Sequence, residues 1–345
     1  ILMAVTQVYP QVADYVIGNT QMNLLTVPEV ARAPYNAFRP ARTVCKGAAL
    51  GCALGLAVVL LYALTRRSIR DPEDIRRRLN LQCIATLPRV TFKRRGREID
   101  RRISIRNQRV TSAFQESVRS MRMKFLRQAQ KQHAQVILVT STLPGEGKTT
   151  VAVNLALSLS QSGARVILVD LDLRKPSVKK ALGVETPSRG VPELLSGEEK
   201  ESVLEALIPV EGSTLRLLAG DRPAQDARQQ LTSRRLGALV DQLRREAEYV
   251  VLDTPPCGLL ADSAGLTRLA DGTLDVLRSG AVEMSHIVDS LQFLSETGTP
   301  LMGCVLNGVQ TGQGGYGYGY GYGYGGYRSY GYGTYARRKT KAEES

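Results

Sequence analysis

From Gly47 to Thr65 the chain runs nineteen residues without a charge (GAALGCALGLAVVLLYALT), bounded by Lys46 and Arg66. At about 1.5 Å per residue such a run crosses a hydrocarbon core of about 30 Å, so it predicts a transmembrane helix. Gly47, Gly51 and Gly55 repeat every fourth residue, which suits close packing against a second membrane helix. Further on, the apolar runs shorten to strand length: Val136–Thr140, Arg165–Asp170, Tyr249–Asp253, Thr273–Leu277 and Leu301–Asn307. An apolar helical pattern, Val151–Ser160, lies between the first two. Buried strands alternating with helices predict an α/β core. The pattern then stops. Residues 312–335 hold eleven glycines and nine tyrosines, a composition that carries a large folding entropy and predicts a disordered tail.

Composition sharpens this outline. With 345 residues and 43% apolar content the chain can bury one large core and carry appendages. Its net charge of +14 is local, because residues 65–131 contain 20 Lys/Arg against 6 Asp/Glu and the remainder is balanced. Beside a membrane span, a basic stretch predicts attraction to anionic lipid headgroups, about 1 kcal/mol per cation. Nucleic acid is not expected, since aromatic residues are not interleaved with the basic ones. Arg66, Arg67, Arg70 and Arg76–Arg78 follow the span, against Arg39, Arg42 and Lys46 before it, which favours a cytoplasmic C-terminal side. Five cysteines (Cys45, Cys52, Cys83, Cys257, Cys304) show no CxxC and no paired spacing, arguing against zinc, iron–sulfur and disulfide frameworks. His133 and His286 have no metal-ligand or catalytic spacing and are expected to be structural or on the surface. The opening Ile1-Leu2 reads as cut from a longer protein.

The chemistry concentrates at three strand ends. The first apolar run leads into Ser141-Thr-Leu-Pro-Gly-Glu-Gly-Lys-Thr-Thr150 and then the helix. Strand, glycine loop, Lys-Thr and helix is a phosphate-binding arrangement. Pro144, Gly145, Glu146, Gly147, Lys148, Thr149 and Thr150 are thus expected to bind ATP, with Lys148 on the β/γ-phosphates and Thr149 on Mg²⁺. Thr142 stands where the strict motif has its first glycine. The second run ends in Asp170-Leu-Asp172-Leu-Arg-Lys-Pro176, two carboxylates at i, i+2. The third ends in Asp253-Thr-Pro-Pro256, an apolar strand delivering one acid to Mg²⁺ or its water shell. A tyrosine cluster downstream of an ATP site suggests that the tyrosines are the substrate.

These residues resemble the Walker A, A′ and B motifs of the bacterial tyrosine kinases that govern capsule and exopolysaccharide synthesis. Partition and septum-site ATPases carry a signature lysine where this chain has Leu143. Glu116-Ser-Val-Arg119-Ser-Met-Arg122 is similar to the ExxRxxR oligomerisation motif of those kinases, and the segment before the loop resembles the end of a Wzz-type co-polymerase domain, its second membrane helix and its link to the kinase. The resemblance implies a P-loop NTPase with a mostly parallel, doubly wound sheet and helices on both faces. It implies residues 1–43 as the end of an extracytoplasmic domain, 44–65 as the membrane helix and 66–109 as a basic cytoplasmic linker. Residues 110–309 would be the kinase domain and 310–345 the tail. Two departures stand out: Asp226-Ala227 replaces the Asn-Pro expected after the run ending at Gly220, and Asp275 occupies a strand position where the family is apolar. Asp262 and Asn307 fit the family pattern, Asn307 as an adenine contact.

The expectation is an autokinase of the bacterial inner membrane, with kinase domain and tail cytoplasmic. Lys148, Asp170, Asp172 and Asp253 are the catalytic set, and Thr149, Asp172 and Asp253 hold Mg²⁺. Asp170 is expected to orient or deprotonate the tyrosine, with the Asp170 and Asp172 roles exchangeable. The acceptors are Tyr316, Tyr318, Tyr320, Tyr322, Tyr324, Tyr327, Tyr330, Tyr332 and Tyr335. By resemblance, transfer runs between subunits of a ring, expected as an octamer, held by Glu116, Arg119 and Arg122. The other expected partners are the polysaccharide polymerisation and export machinery, a cognate phosphotyrosine phosphatase and the anionic membrane surface. The alternative function is a non-kinase P-loop ATPase switch of the partition or septum-site type, with the tail as an interaction linker.

Overall fold

Parallel strands covered on both faces read as continuous apolar runs, and the central strands do so here. In a computed structural model, β2 (Val136–Ser141), β3 (Val166–Asp170) and β6 (Tyr249–Asp253) are buried along nearly their whole length. The structure describes residues 40–65, 68–92, 102–184, 189–196, 202–220, 223–224, 226–259 and 263–310. The remaining strands are β1 (Cys83–Pro88), β4 (Ile208–Pro209), β5 (Leu215–Leu218), β7 (Gly272–Arg278) and β8 (Leu301–Val309). They form one eight-stranded sheet in the order β1-β8-β7-β2-β6-β3-β5-β4. Every pairing is parallel except that of β4 with β5. This is the α/β core the strand pattern predicts, with the mostly parallel sheet that the resemblance implies.

The helices used below are α1 (Pro40–Thr65), α2 (Pro72–Leu79), α3 (Ser112–Gln132), α4 (Lys148–Gln161), α5 (Val178–Leu182), α6 (Arg234–Glu246) and α7 (Met284–Glu296). Alternate residues of each strand feed opposite cores, as a period of two requires. Ile137, Val139, Leu168 and Val251 join α3 and α4 on one face, whereas Val136, Leu138, Ile167, Val250 and Leu252 join α6 on the other. The α3 stripe Phe114, Val118, Met121, Phe125 and Ala129 follows helical spacing. Thr111 caps this helix by accepting the Phe114 N–H, and His133 ends it in the left-handed conformation at φ 51°. His133 is therefore a helix terminator and His286 lies on the surface.

The expected boundary at residue 110 does not hold. The chain divides into Ile1–Arg66 and Arg67–Ser345, and the second unit takes in the whole described part of the supposed linker. Within it, β1 pairs with β8, and Ile69 and Ile75 pack in a cluster with Leu277, Cys304 and Leu306. Short apolar residues among many arginines hid a strand and a helix.

In the first unit, α1 is longer than the uncharged run, beginning at Pro40 and taking Arg42 and Lys46 into its opening turns. Residues 41–61 are long and apolar enough to cross a membrane. At about 1.5 Å per residue its 26 residues extend about 39 Å. The expected co-polymerase segment before Pro40, the tyrosine tail and Asp262 lie outside the described residues.

One strap sets the entry of β2, the strand that delivers the phosphate loop. Asp271 accepts the Gln135 and Val136 N–H groups at 2.9 and 2.7 Å and pairs with both Arg244 guanidinium nitrogens at 2.8 and 2.7 Å. Burial alone would raise its pKa, but Arg244 and the two N–H donors outweigh burial and lower it. Asp271→Ala is expected to cost about 1.5–3 kcal/mol near pH 7, the range for hydrogen bonds to a charged group. A depressed carboxylate contributes stability above its unfolded pKa and loses it as pH falls through the folded value. The gap between denaturant titrations of the two chains should therefore shrink as pH falls below the ordinary carboxylate range of about 3.9; a constant gap would refute the electrostatic account.

Candidate active site

The parallel sheet places the C-terminal ends of β2, β3 and β6 side by side. Asp170 and Asp253 are register partners on adjacent strands, and the β2–α4 loop leaves the same edge. Gly145 and Gly147 adopt φ +84° and +97°, where a side chain is strained, so the loop curls as the glycines predicted. Pro144 and Gly145 form its exposed crest, and Lys148, Thr149 and Thr150 open α4. Their N–H groups belong to a helix start, a ready site for phosphate oxygens.

The Glu146 side chain turns inward. It is buried and accepts the Leu143 N–H at 2.6 Å and the Arg278 N–H at 3.1 Å, bracing the loop from beneath. Burial raises its pKa, opposed by those N–H bonds. Asn307 is part of the same brace: its amide donates to the Glu146 carbonyl at 2.8 Å, and a Cβ on Gly147 would collide with it. The structure thus gives Asn307 a loop-supporting contact. Leu143, in place of a signature lysine, is partly buried against the β7–β8 cluster.

Below the loop the three acids meet Lys148 and Thr149. Lys148 Nζ donates to Asp172 Oδ2 at 2.6 Å, with side chains 13% and 9% exposed. Burial works against the Lys148 charge, but Asp253, and then Asp172, raise its pKa. Thr149 Oγ1 donates to Asp253 Oδ2 at 2.6 Å. Burial raises Asp253 to about 6 against the pull of Lys148 and Thr149. Asp170 is sealed, its Oδ1 accepting the Asp172 N–H at 3.2 Å and its Oδ2 accepting the Ser177 and Val178 N–H groups at 2.9 and 3.0 Å. Burial, then the Asp253 charge, hold its pKa well above the usual range.

Magnesium fits this donor set. Asp253 Oδ1 is buried without a hydrogen-bond partner, beside the Thr149 hydroxyl. Among the described residues no group of three or more His, Cys, Asp or Glu side chains forms a cage. Mg²⁺ needs none, since it takes one or two carboxylates and completes its shell with water and phosphate.

Of the expected oligomerisation face, Glu116 and Arg119 form an exposed ion pair at 3.4 Å. Arg122 departs from that face. Its guanidinium donates to the Ser158 carbonyl in α4 at 2.9 Å, a contact within the chain. Three contributors were missed: the Glu146 brace, Arg278, which also donates to the Gly145 carbonyl at 2.9 Å, and Ser177, whose hydroxyl lies 3.0 Å from Thr149 Oγ1. Only Ser177 carried a signal, and a serine at a helix start reads as an N-cap.

The comparisons agree with this geometry. A family model described as ParA: NUBPL iron-transfer P-loop NTPase matches residues 132–310. The tyrosine-protein kinase YwqD of Bacillus subtilis is 33% identical over 172 residues, 50% of this chain and 71% of that protein. The tyrosine-protein kinase ptk of Acinetobacter johnsonii is 28% identical over 273 residues, covering 77% of this chain, which spans only 37% of that relative's length. The solved BceF tyrosine kinase domain aligns with a TM-score of 0.61 at 27% identity, covering 70% of this chain and all of that one. On a glycine loop, three acidic strand ends and these matches, the chain belongs to the ParA-type P-loop NTPases and, among them, to the bacterial tyrosine-protein kinases.

Proposed function

We propose that the chain transfers the γ-phosphoryl group of ATP to tyrosines of its own C-terminal cluster, Tyr316 to Tyr335. The observation that carries this reading is the Lys148–Asp172 and Thr149–Asp253 pairing beneath a loop with two left-handed glycines. Lys148 exchanges Asp172 for the phosphates of ATP, which frees the Asp172 carboxylate. Asp170, sealed behind three backbone N–H donors, suits a residue that shapes the β3–α5 turn. The tyrosine-orienting role therefore goes to Asp172, the exchanged form of the expected assignment. A phenol with an unperturbed pKa near 10 needs such an acceptor as it attacks. Thr149 and Asp253 would hold Mg²⁺, which would supply positive charge to neutralise the charge developing on the phosphoryl group.

By family, the kinase acts in trans within a ring, an octamer, anchored in the bacterial inner membrane by α1. It governs the length, polymerisation and export of a capsular polysaccharide or exopolysaccharide, with a cognate phosphatase resetting the tail. With Arg122 bonded inside the chain, Glu116 and Arg119 are the members of the oligomerisation set that remain outward.

The test is incubation of the full chain with Mg-ATP, followed by phosphotyrosine mapping. Phosphate on residues 316–335, lost when all nine tyrosines become phenylalanine, is the expected result. ATP hydrolysis with no phosphotyrosine would overturn it in favour of a partition-type ATPase.

A further inference from the structure

Ser177 occupies the N-cap position of α5 and yet makes no side-chain cap bond. Serine is favoured there because its hydroxyl normally accepts an N–H from the first turn. Here the hydroxyl is turned the other way, 3.0 Å from Thr149 Oγ1. Cap duty falls instead on the Asp170 carboxylate, which receives the Ser177 and Val178 N–H groups.

The direction of the Thr149–Ser177 bond follows from counting hydrogens. A threonine hydroxyl has one proton and two lone pairs. Thr149 gives its proton to Asp253 Oδ2 at 2.6 Å, so at the second contact Ser177 is the donor and Thr149 the acceptor. One lone pair of Thr149 Oγ1 is then left. The two bonds fix its direction, because rotating the hydroxyl breaks both.

We propose that Ser177 is a positioning residue of the Mg²⁺ site: its hydroxyl fixes Thr149 so that the remaining lone pair meets the cation without a search over rotamers. The inference rests on the reading of Thr149 as a Mg²⁺ ligand and adds the residue that orients it. Ser177 acts through Thr149, while its backbone N–H separately ties the turn to Asp170. That second link survives any substitution other than proline, so a side-chain variant isolates the hydroxyl.

The experiment measures binding, independently of phosphotransfer. A fluorescent ADP analogue is titrated into the full chain at stepped Mg²⁺ concentrations and in EDTA. Loss of one hydrogen bond of ordinary strength corresponds to roughly a 3- to 10-fold change. Ser177→Ala is expected to raise the Mg²⁺ concentration for half-maximal tightening by that factor, leave the affinity in EDTA unchanged, and be rescued by Ser177→Thr. An unchanged Mg²⁺ requirement, or equal weakening with and without Mg²⁺, would overturn the proposal. Wild-type chain that binds nucleotide with Mg²⁺ but forms no phosphotyrosine would sink the kinase reading and leave this one standing.

Discussion

Lys148→Met is expected to lower the rate of tail phosphorylation by roughly 10²–10³-fold, the effect of removing one preorganised group that stabilises transition-state charge. Methionine keeps the length and apolar stem, so the loss isolates the ammonium. Lys148 is the cation among Asp170, Asp172 and Asp253, and its removal acts twice. The transferring phosphoryl loses its partner, and the acids lose the charge that holds the Asp253 pKa down. The variant should therefore also bind Mg²⁺ over a higher pH range than wild type, since Asp253 ionises later. Initial rates of phosphotyrosine formation check the first effect, and nucleotide affinity across pH 5 to 8 checks the second. A rate within tenfold of wild type would remove Lys148 from the catalytic set.

Much of this site was legible because its residues lie on short motifs whose geometry is local. Strand, loop and helix fix Gly145, Gly147, Lys148 and Thr149 with no help from the rest of the fold. The i, i+2 spacing of Asp170 and Asp172 located both acids. It could not say that one would be sealed by backbone N–H groups and the other turned to Lys148, because that depends on α5 returning its N–H groups to Asp170. The same limit hid the bracing role of Glu146, which needs β7 placed beside β2. It also hid β1, an edge strand whose pairing with β8 spans more than 200 positions of sequence. The Arg122 contact was hidden for a related reason: helical spacing gives a face, and only the packing of α3 against α4 brings its guanidinium to the Ser158 carbonyl.

Asp275→Asn is expected to stabilise the protein, by an amount that grows with pH. Asp275 is fully buried in β7, in register with Thr140 of β2 and Cys304 of β8, and neither carboxylate oxygen makes a hydrogen bond of good geometry. Burial, and then the Glu146 charge, push its pKa up to about 8, with the Val276 N–H a weak counterweight. The neighbouring thiols add no balancing charge: Cys257 is pushed up to about 12, and Cys304 is raised, in each case by burial and then by Asp275, so both stay neutral. Glu146, held by two N–H donors, ionises first, and its charge keeps the proton on Asp275. A carboxyl with a raised folded pKa has no penalty below its unfolded value near 4. Stability is then lost steadily as pH rises, levelling off once the folded group itself ionises near 8. At about 1.36 kcal/mol per unit, the penalty reaches a ceiling of about 4 kcal/mol at pH 7. Asparagine keeps the shape and cannot ionise, so it resembles the protonated acid throughout. Urea midpoints of the two chains should coincide at pH 4 and separate progressively to pH 8, and Asp275→Val, which also removes the unpartnered polar atoms, should lie above both. A gap that stays constant from pH 4 to 8 would show that Asp275 has a partner in the folded protein and that its charge is not what the β7 strand resists.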